Sequence, residues 1–212
     1  MKTKFTPLAL LTTALVCLPS LAHAHHAEFM RDKPFLQGIS MPIHGLDHML
    51  VTIAVGMIAA QIGKRALWAI PSAFTVAVLL GGILNLMGIP MPLVEWGILA
   101  SIVVFGGLLT AGSRISLALT AVVVALFAAM HGNALIANDG FVHNFPVFIA
   151  GCLFSAVVLQ AIGIGLGLGL QKFSKLLVYR YAGFAMIAAA AVIGIFPDVN
   201  NCVLSLIEKG GH

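Results

Sequence analysis

The chain has 212 residues, of which 60% are apolar and only 8% carry a charged Asp, Glu, Lys or Arg side chain. Soluble domains carry about 25% charged residues, so this composition excludes an ordinary soluble domain, a large soluble enzyme and a disordered chain. The formal net charge of +4 is too small to indicate nucleic-acid binding. The composition therefore predicts a bundle of helices in a lipid bilayer.

The first 24 residues have the pattern of a secretory signal peptide. Lys2 and Lys4 make a basic start, an apolar stretch follows, and a small-x-small cleavage pattern ends at Ala24. An uncleaved additional membrane helix is the alternative interpretation. Residues 25–42 are then predicted to be an exported segment that begins with two histidines, which either bind a divalent metal ion or form a solvated tail.

Six later stretches are long and apolar enough to span a membrane, which takes about 20 residues for a helix. These stretches are 43–63, 66–88, 92–112, 114–134, 144–171 and 175–197. The sequence therefore predicts an all-α integral membrane protein. Its transmembrane domain is a six-helix bundle over 43–197, and a short tail follows at 198–212.

The charged residues between the predicted spans differ between the two ends of the bundle. One end carries only basic residues, which are Lys64, Arg65, Arg114, Lys172, Lys175 and Arg180. The other end carries Asp139, Asp198 and Glu208. The positive-inside rule places the basic end in the cytoplasm. Both ends of the mature chain are therefore predicted on the periplasmic side of a bacterial inner membrane.

The fifth stretch has glycines at alternate positions, 163, 165, 167 and 169. They follow no strand and precede no Lys-Ser or Lys-Thr pair, so a phosphate-binding loop is not indicated. Small residues four positions apart let membrane helices approach closely. The pairs Gly163/Gly167 and Gly165/Gly169 are both predicted to be packing positions.

Ionisable residues inside the spans are the candidates for function, because each costs about 2.5–3.5 kcal/mol at a helix centre. The first stretch opens with His44, Asp47 and His48 after Pro42, a residue suited to a first helical turn. Histidines four apart share one helix face. Two imidazoles and a carboxylate suit nickel, cobalt or zinc, with Asp47 either binding the ion or orienting an imidazole. The alternative is a capping Asp47 with both histidines at the water boundary.

Glu95 and His131 lie in two further stretches. Alone, Glu95 is typical of an acid near a helix N-terminus, and His131 of an interfacial histidine. The predicted topology places both, together with His143, at the same periplasmic end as the first cluster. Convergence from different helices at one depth is what a binding site requires. The predicted metal ligands are His44, Asp47, His48, Glu95 and His131.

Other polarisable or polar residues lie near the same level. The methionines are Met41, Met49, Met91 and Met130. Thioether ligands favour Cu(I), whereas methionine is also a common filler of cores, and both interpretations stay open. Asn85 is predicted either to line the site or to form an interhelical hydrogen bond.

These residues make the sequence resemble the HupE/UreJ family of hydrogenase and urease accessory membrane proteins, regarded as nickel or cobalt permeases. The resemblance covers nearly the whole mature chain. It includes the run Gly45 to His48, the run Pro92 to Glu95 and the run Ala128 to Ala134. The chain departs from the family pattern at Met41, Leu135, Asn138 and Gln160, which stand where the family usually has His, His, Glu and His. The identity of the metal therefore stays open.

The resemblance implies a non-enzymatic permease whose partners are a transition-metal ion, the lipid bilayer and metalloenzyme-maturation proteins. We expect no nucleic acid and no nucleotide to bind, since no ATP-binding motif is present. An inside-negative potential or an ion gradient would drive uptake. The alternatives are an intramembrane zinc hydrolase with Glu95 as general base, and an accessory or sensor protein that binds zinc or copper without transport. The oligomeric state, including a homo-oligomer, stays open.

Overall fold

The computed structural model describes residues 33–112, 115–137 and 144–195. The predicted signal peptide, the two histidines after it, Asn138, His143 and the tail at 198–212 lie outside these residues. Every regular element in the described ranges is a helix. The helices are α1 (Pro34–His44), α2 (Leu46–Ile62), α3 (Ala66–Leu86), α4 (Val94–Ala111), α5 (Leu117–Ala137) and α6 (Phe145–Ile195).

The predicted fold class, an all-α integral membrane bundle, is confirmed. The described helices provide five spans that are long and apolar enough to cross a membrane, or six if α1 and α2 together count as one broken span. The buried core lies among α2, α3, α4, α5 and the later part of α6. Its fully buried members include Val51, Val55, Ile70, Ile102, Phe105, Leu109 and Val124.

The first predicted span is broken near its start. The axes of α1 and α2 differ by 78°, and Gly45 between them has extended backbone with φ −82° and ψ 108°. Pro42 lies inside α1, where it cannot donate a hydrogen bond to the carbonyl of Gly38. The expectation that Pro42 lies in a first helical turn is therefore wrong, because Pro42 is near the end of α1 and the next helix, α2, begins at Leu46.

Helix α1 crosses the first part of α6 at a pair of glycines. A Cβ atom added to Gly38 would collide with the backbone carbonyl of Phe148, and one added to Gly151 would collide with the carbonyl of Phe35. The two backbones are thus in direct contact. The residues just before the first span pack against the bundle, which the sequence did not predict.

Helix α6 is continuous over 51 residues, although the sequence predicts two spans there. Its two apolar segments, Phe145–Gly169 and Leu177–Ile195, each have the length of a span. The Tyr179 hydroxyl lies 3.0 Å from the position of a Cβ on Gly167. In a straight helix these residues would be separated by about 18 Å along the axis. The axis of α6 must therefore bend back between its two segments.

The neighbours of α6 confirm that its two segments run in opposite directions. The first segment contacts Gly56 of α2 through Gln160, and Ala60 farther along α2 through Gly167, so the two helices are parallel. The second segment contacts α4 through Gly183 at Gly106 and through Gly194 at Leu99. Segment two is therefore antiparallel to α4. The two crossings that the sequence predicts are therefore present, and helical backbone continues through the bend that joins them.

Only one of the two predicted glycine pairs in α6 is a packing position. A Cβ on Gly163 would collide with the carbonyl of Ile53, and one on Gly167 would meet the Ala60 side chain at 2.7 Å. Gly165 and Gly169 have no such neighbours within 4 Å among the described residues. The packing role predicted for the second pair is wrong, because those glycines lie on the opposite face of α6.

Candidate metal-binding site

His48 lies in the first turn of α2, and Asp47 fixes the orientation of its ring. The Asp47 Oδ1 atom accepts a hydrogen bond from the His48 backbone N–H at 2.8 Å and lies 3.0 Å from His48 Nδ1. The two side chains are 14% and 25% exposed for His48 and Asp47. Because a carboxylate only accepts hydrogen bonds, Nδ1 carries a proton, and the lone pair of the neutral form of the ring is on Nε2.

His131 lies in α5, and Ser101 of α4 fixes its ring. The side chain is 1% exposed, so the alternative of an interfacial histidine does not hold. The Ser101 hydroxyl donates to the Ile98 carbonyl at 2.6 Å and lies 2.9 Å from His131 Nε2. Since the single hydroxyl proton is used on Ile98, Ser101 accepts from the Nε2–H of His131. The free lone pair of the neutral ring is therefore on Nδ1.

The two imidazoles meet at the end of the bundle where α2 begins. Their ring centroids are 4.6 Å apart and their planes are nearly perpendicular, at 85°. His48 Nε2 and His131 Nδ1 are both buried and have no hydrogen-bond partner among the described residues. Buried polar atoms without a partner are rare in native proteins. We name this pair, with Asp47 and Ser101, the imidazole site.

The other predicted ligands stand apart from the imidazole site in different ways. His44 is the last residue of α1. The prediction that it shares a helix face with His48 is wrong, because the break at Gly45 places the two residues in different helices. The His44 side chain is outside the described part of the chain. Glu95 lies at the same end of the bundle, in the first turn of α4, with an exposed side chain.

Within the described ranges, no group of three or more His, Cys, Asp or Glu side chains is arranged to hold a metal ion. The described contacts of Asp47 are with His48, so its described role is to orient the imidazole. The structure therefore brings together two of the predicted nitrogen ligands and one orienting carboxylate.

Asn133, two residues after His131, ties three parts of the structure together. Its Oδ1 accepts from Asn85 Nδ2 at 3.3 Å and from the Met91 backbone N–H at 3.1 Å. Its Nδ2 donates to the carbonyls of Gly81 at 3.1 Å and Ile89 at 3.3 Å. This amide connects α3, the loop before α4 and α5. Of the two interpretations of Asn85, the interhelical hydrogen bond is the one observed.

Sequence reasoning missed Ser101 and the role of Asn133. The only available signal for Ser101 was a hydroxyl within an otherwise apolar stretch, and its partner His131 is 30 residues away. Met130, by contrast, packs its sulfur against Gly97 of α4, as expected of a residue that fills a core.

Two positions that depart from the family pattern, Leu135 and Gln160, have described surroundings. Leu135 is 8% exposed and lines a small apolar cavity of about 20 Å³. The backbone carbonyl of Gln160 abuts Gly56, which is eight residues, or about 12 Å, along α2 from His48. Gln160 therefore lies deeper in the bundle than the imidazole site.

Comparison with known proteins places the chain in a family. The model of the HupE / UreJ protein family matches residues 11–193, a range that contains every residue of the imidazole site. The chain is 36% identical to Protein HupE of Rhizobium leguminosarum bv. viciae over 187 residues, which cover 86% of this chain and 94% of that protein. No solved structure matches the chain. This multi-pass helical membrane protein is therefore a member of the HupE/UreJ family.

Proposed function

We propose that the protein is an inner-membrane permease for a divalent transition-metal ion, nickel or cobalt by family resemblance. One observation carries the proposal: two imidazoles in contact each keep one nitrogen free of any described partner. In each ring the other nitrogen is held by an oxygen, from Asp47 or from Ser101. This pattern, in which a second group orients a metal-binding imidazole, is usual around metal ions in proteins.

Among the described residues, the imidazole site offers two free nitrogens, which suits an ion that is bound and then released. A permeation site must bind an ion well enough to take it from water and weakly enough to release it. Water molecules, or side chains outside the described residues, would complete the coordination of the ion. Glu95, the general base of the hydrolase alternative, makes no described contact with either imidazole.

The experiment is uptake of nickel, cobalt, zinc and copper, in parallel, into proteoliposomes that contain the purified protein. We expect His48→Ala and His131→Ala to lower uptake of the transported ion at least about tenfold at subsaturating concentration, because each removes one nitrogen ligand. Thr52→Val is the matched control. Its hydroxyl donates to the His48 carbonyl at 2.7 Å one turn along the same helix, and we expect uptake within about twofold of the unsubstituted protein.

Each alternative function gives a different result in this experiment. Metal binding by the purified protein without flux into the vesicles would contradict the permease and select the accessory or sensor protein. Stoichiometric zinc retained through purification, with turnover of a lipid amide or ester, would select the hydrolase. Unchanged uptake by both histidine variants would overturn the assignment of the site.

A further inference from the structure

A groove of about 430 Å³ lies between α3 and the first segment of α6. Its lining is mostly apolar, and its polar members are Ser72 and Thr75 on α3 and Gln160 on α6. Helix α3 starts at Ala66, directly after α2 has crossed the bundle, so the Trp68 end of the groove lies opposite the imidazole site. We call this feature the α3–α6 groove.

The α3–α6 groove contains polar groups that hydrocarbon cannot satisfy. Gln160 is 2% exposed, and its Nε2 has no hydrogen-bond partner among the described residues. Ser72 and Thr75 add two hydroxyl groups on the facing helix. Pro71 has no N–H, so the carbonyl of Leu67, four residues earlier, lacks its helical donor. An unsatisfied group of this kind costs several kcal/mol in lipid, so a lipid chain is a poor occupant.

We propose that the α3–α6 groove is a water-filled vestibule, open at the end opposite the imidazole site, through which the hydrated metal ion leaves. Its volume holds roughly ten water molecules, enough to satisfy the hydroxyls of Ser72 and Thr75, and the buried Gln160 amide would meet this water when its side chain turns toward the groove. The oxygens of Ser72, Thr75 and Gln160 replace hydration waters of a divalent ion without holding it tightly. The role in ion exit rests on the proposed permease function, whereas the hydration of the groove does not.

The depth of Gln160 in the bundle determines how far water in the vestibule would reach toward the imidazole site. Gln160 is nine residues before the end of its segment at Gly169, which places it about 13 Å inside the bundle. Its carbonyl abuts Gly56, which lies about 12 Å along α2 from His48. Water that reaches Gln160 therefore shortens the dry part of the path to about 12 Å, compared with about 30 Å for a complete hydrocarbon core.

Cysteine labelling in proteoliposomes tests whether the groove contains water. Ser72→Cys and Thr75→Cys are treated with a charged methanethiosulfonate reagent on both sides of the membrane, with the unsubstituted protein as background. Val158→Cys and Ile162→Cys are the matched controls, because these exposed residues flank Gln160 on α6 and do not line the groove. We expect the groove cysteines to react at least about tenfold faster than the controls, because thiolates form only in contact with water.

Equal labelling rates at groove and control positions would overturn the proposal and indicate a groove filled by lipid chains. Gln160→Leu, which removes the amide, should slow labelling of Thr75→Cys and reduce metal uptake several-fold, whereas Gln160→Asn should preserve both. Unchanged labelling and uptake in Gln160→Leu would contradict the role of the amide.

The same measurements distinguish the vestibule from the permease function. Labelling of the groove in a protein that does not take up metal would support the water-filled vestibule and contradict its role in ion exit. Metal uptake with an unlabelled groove would sustain the permease and overturn the vestibule.

Discussion

Asp47 and Ser101 determine which nitrogen of each imidazole stays free. Asp47 holds Nδ1 of His48, and Ser101 holds Nε2 of His131, so the free atoms are of different types on the two rings. Without these oxygens each ring would exchange between tautomers and rotate, and the two lone pairs would not be presented together. The geometry of the site therefore depends on side chains that need not contact the ion.

Two substitutions of Asp47 distinguish an orienting residue from a ligand. Asparagine retains an oxygen that accepts from His48 Nδ1, so we expect Asp47→Asn to bind nickel or cobalt within a few-fold of the unsubstituted protein. Asp47→Ala removes that acceptor, and we expect the dissociation constant to rise about 10- to 100-fold. Isothermal titration of the purified protein measures both. Equal losses in the two variants would show that the carboxylate binds the ion directly.

At this scale the sequence predicts the ionisable residues and misses their neutral partners. His48 and His131 could be predicted because a histidine in an apolar span is costly and therefore rare. Ser101 could not, because a serine hydroxyl is easily satisfied by a carbonyl one turn away, as it is here by Ile98. Only the tertiary contact with His131 shows that Ser101 orients an imidazole of the site.

At the scale of elements, glycines set the distance between helices. Gly56 of α2 and Gly163 of α6 lie in one contact, where each Cα faces the backbone of the other helix. Gly106 of α4 and Gly183 in the second segment of α6 form a similar contact. Membrane helices without a hydrophobic driving force between them rely on such close packing. These contacts fix α2 and α4, which carry His48 and Ser101, against α6.

Two glycines two residues apart on α6 allow a matched test of this packing. We expect Gly163→Ala to lower stability by about 1–3 kcal/mol, because its Cβ would collide with the backbone carbonyl of Ile53. Gly165→Ala meets open space, and alanine favours helix over glycine, so we expect unchanged or slightly higher stability. Thermal unfolding in detergent, followed by circular dichroism, compares the two. Equal destabilisation would contradict the packing assignment.

The spans could be predicted from length and hydropathy, but the shape of two of them could not. Gly45 and Pro42 both disturb a helix, and hydropathy does not reveal that the break falls between His44 and His48. The sequence does not distinguish Gly163 from Gly165, because both are glycines in the same alternating run. They differ only in the face of α6 on which they lie. The neighbouring helix α2 determines which of the two is a packing position, because Gly56 lies against Gly163.

At the scale of the whole molecule, aromatic residues mark both ends of the bundle. Trp96 near the start of α4 is 70% exposed at the end that holds the imidazole site. Trp68 in α3 and Tyr181 in α6, which are 64% and 70% exposed, lie toward the opposite end. Tryptophan and tyrosine are enriched at the two interfaces of a membrane. The distribution agrees with a bundle that crosses the bilayer and presents the imidazole site near one surface.

We expect metal uptake to follow the membrane potential, since the ion carries two charges across the bilayer. A potential of about 100 mV, negative inside, is worth about 4.6 kcal/mol for a dication and supports roughly thousandfold accumulation at equilibrium. The potential is set in proteoliposomes by a potassium gradient with valinomycin, and metal content is measured by atomic absorption. Vesicles with His131→Ala are the control. Accumulation that is the same with and without the potential would contradict electrogenic uptake.

The close glycine contacts join the helices into two groups, and the two imidazoles belong to different groups. Helices α3 and α5 meet backbone to backbone where Gly81 faces Ala129 and Gly132 faces Val78, while α1, α2 and α4 are each joined in the same way to α6. His48 belongs to the second group, and His131 belongs to the first. Across the site the two groups meet through side chains, in the hydrogen bond between His131 and Ser101 and in the contact of the two imidazole rings. A shift of α3 and α5 relative to the other helices would therefore change the separation of the two free nitrogens and leave every one of these backbone contacts intact.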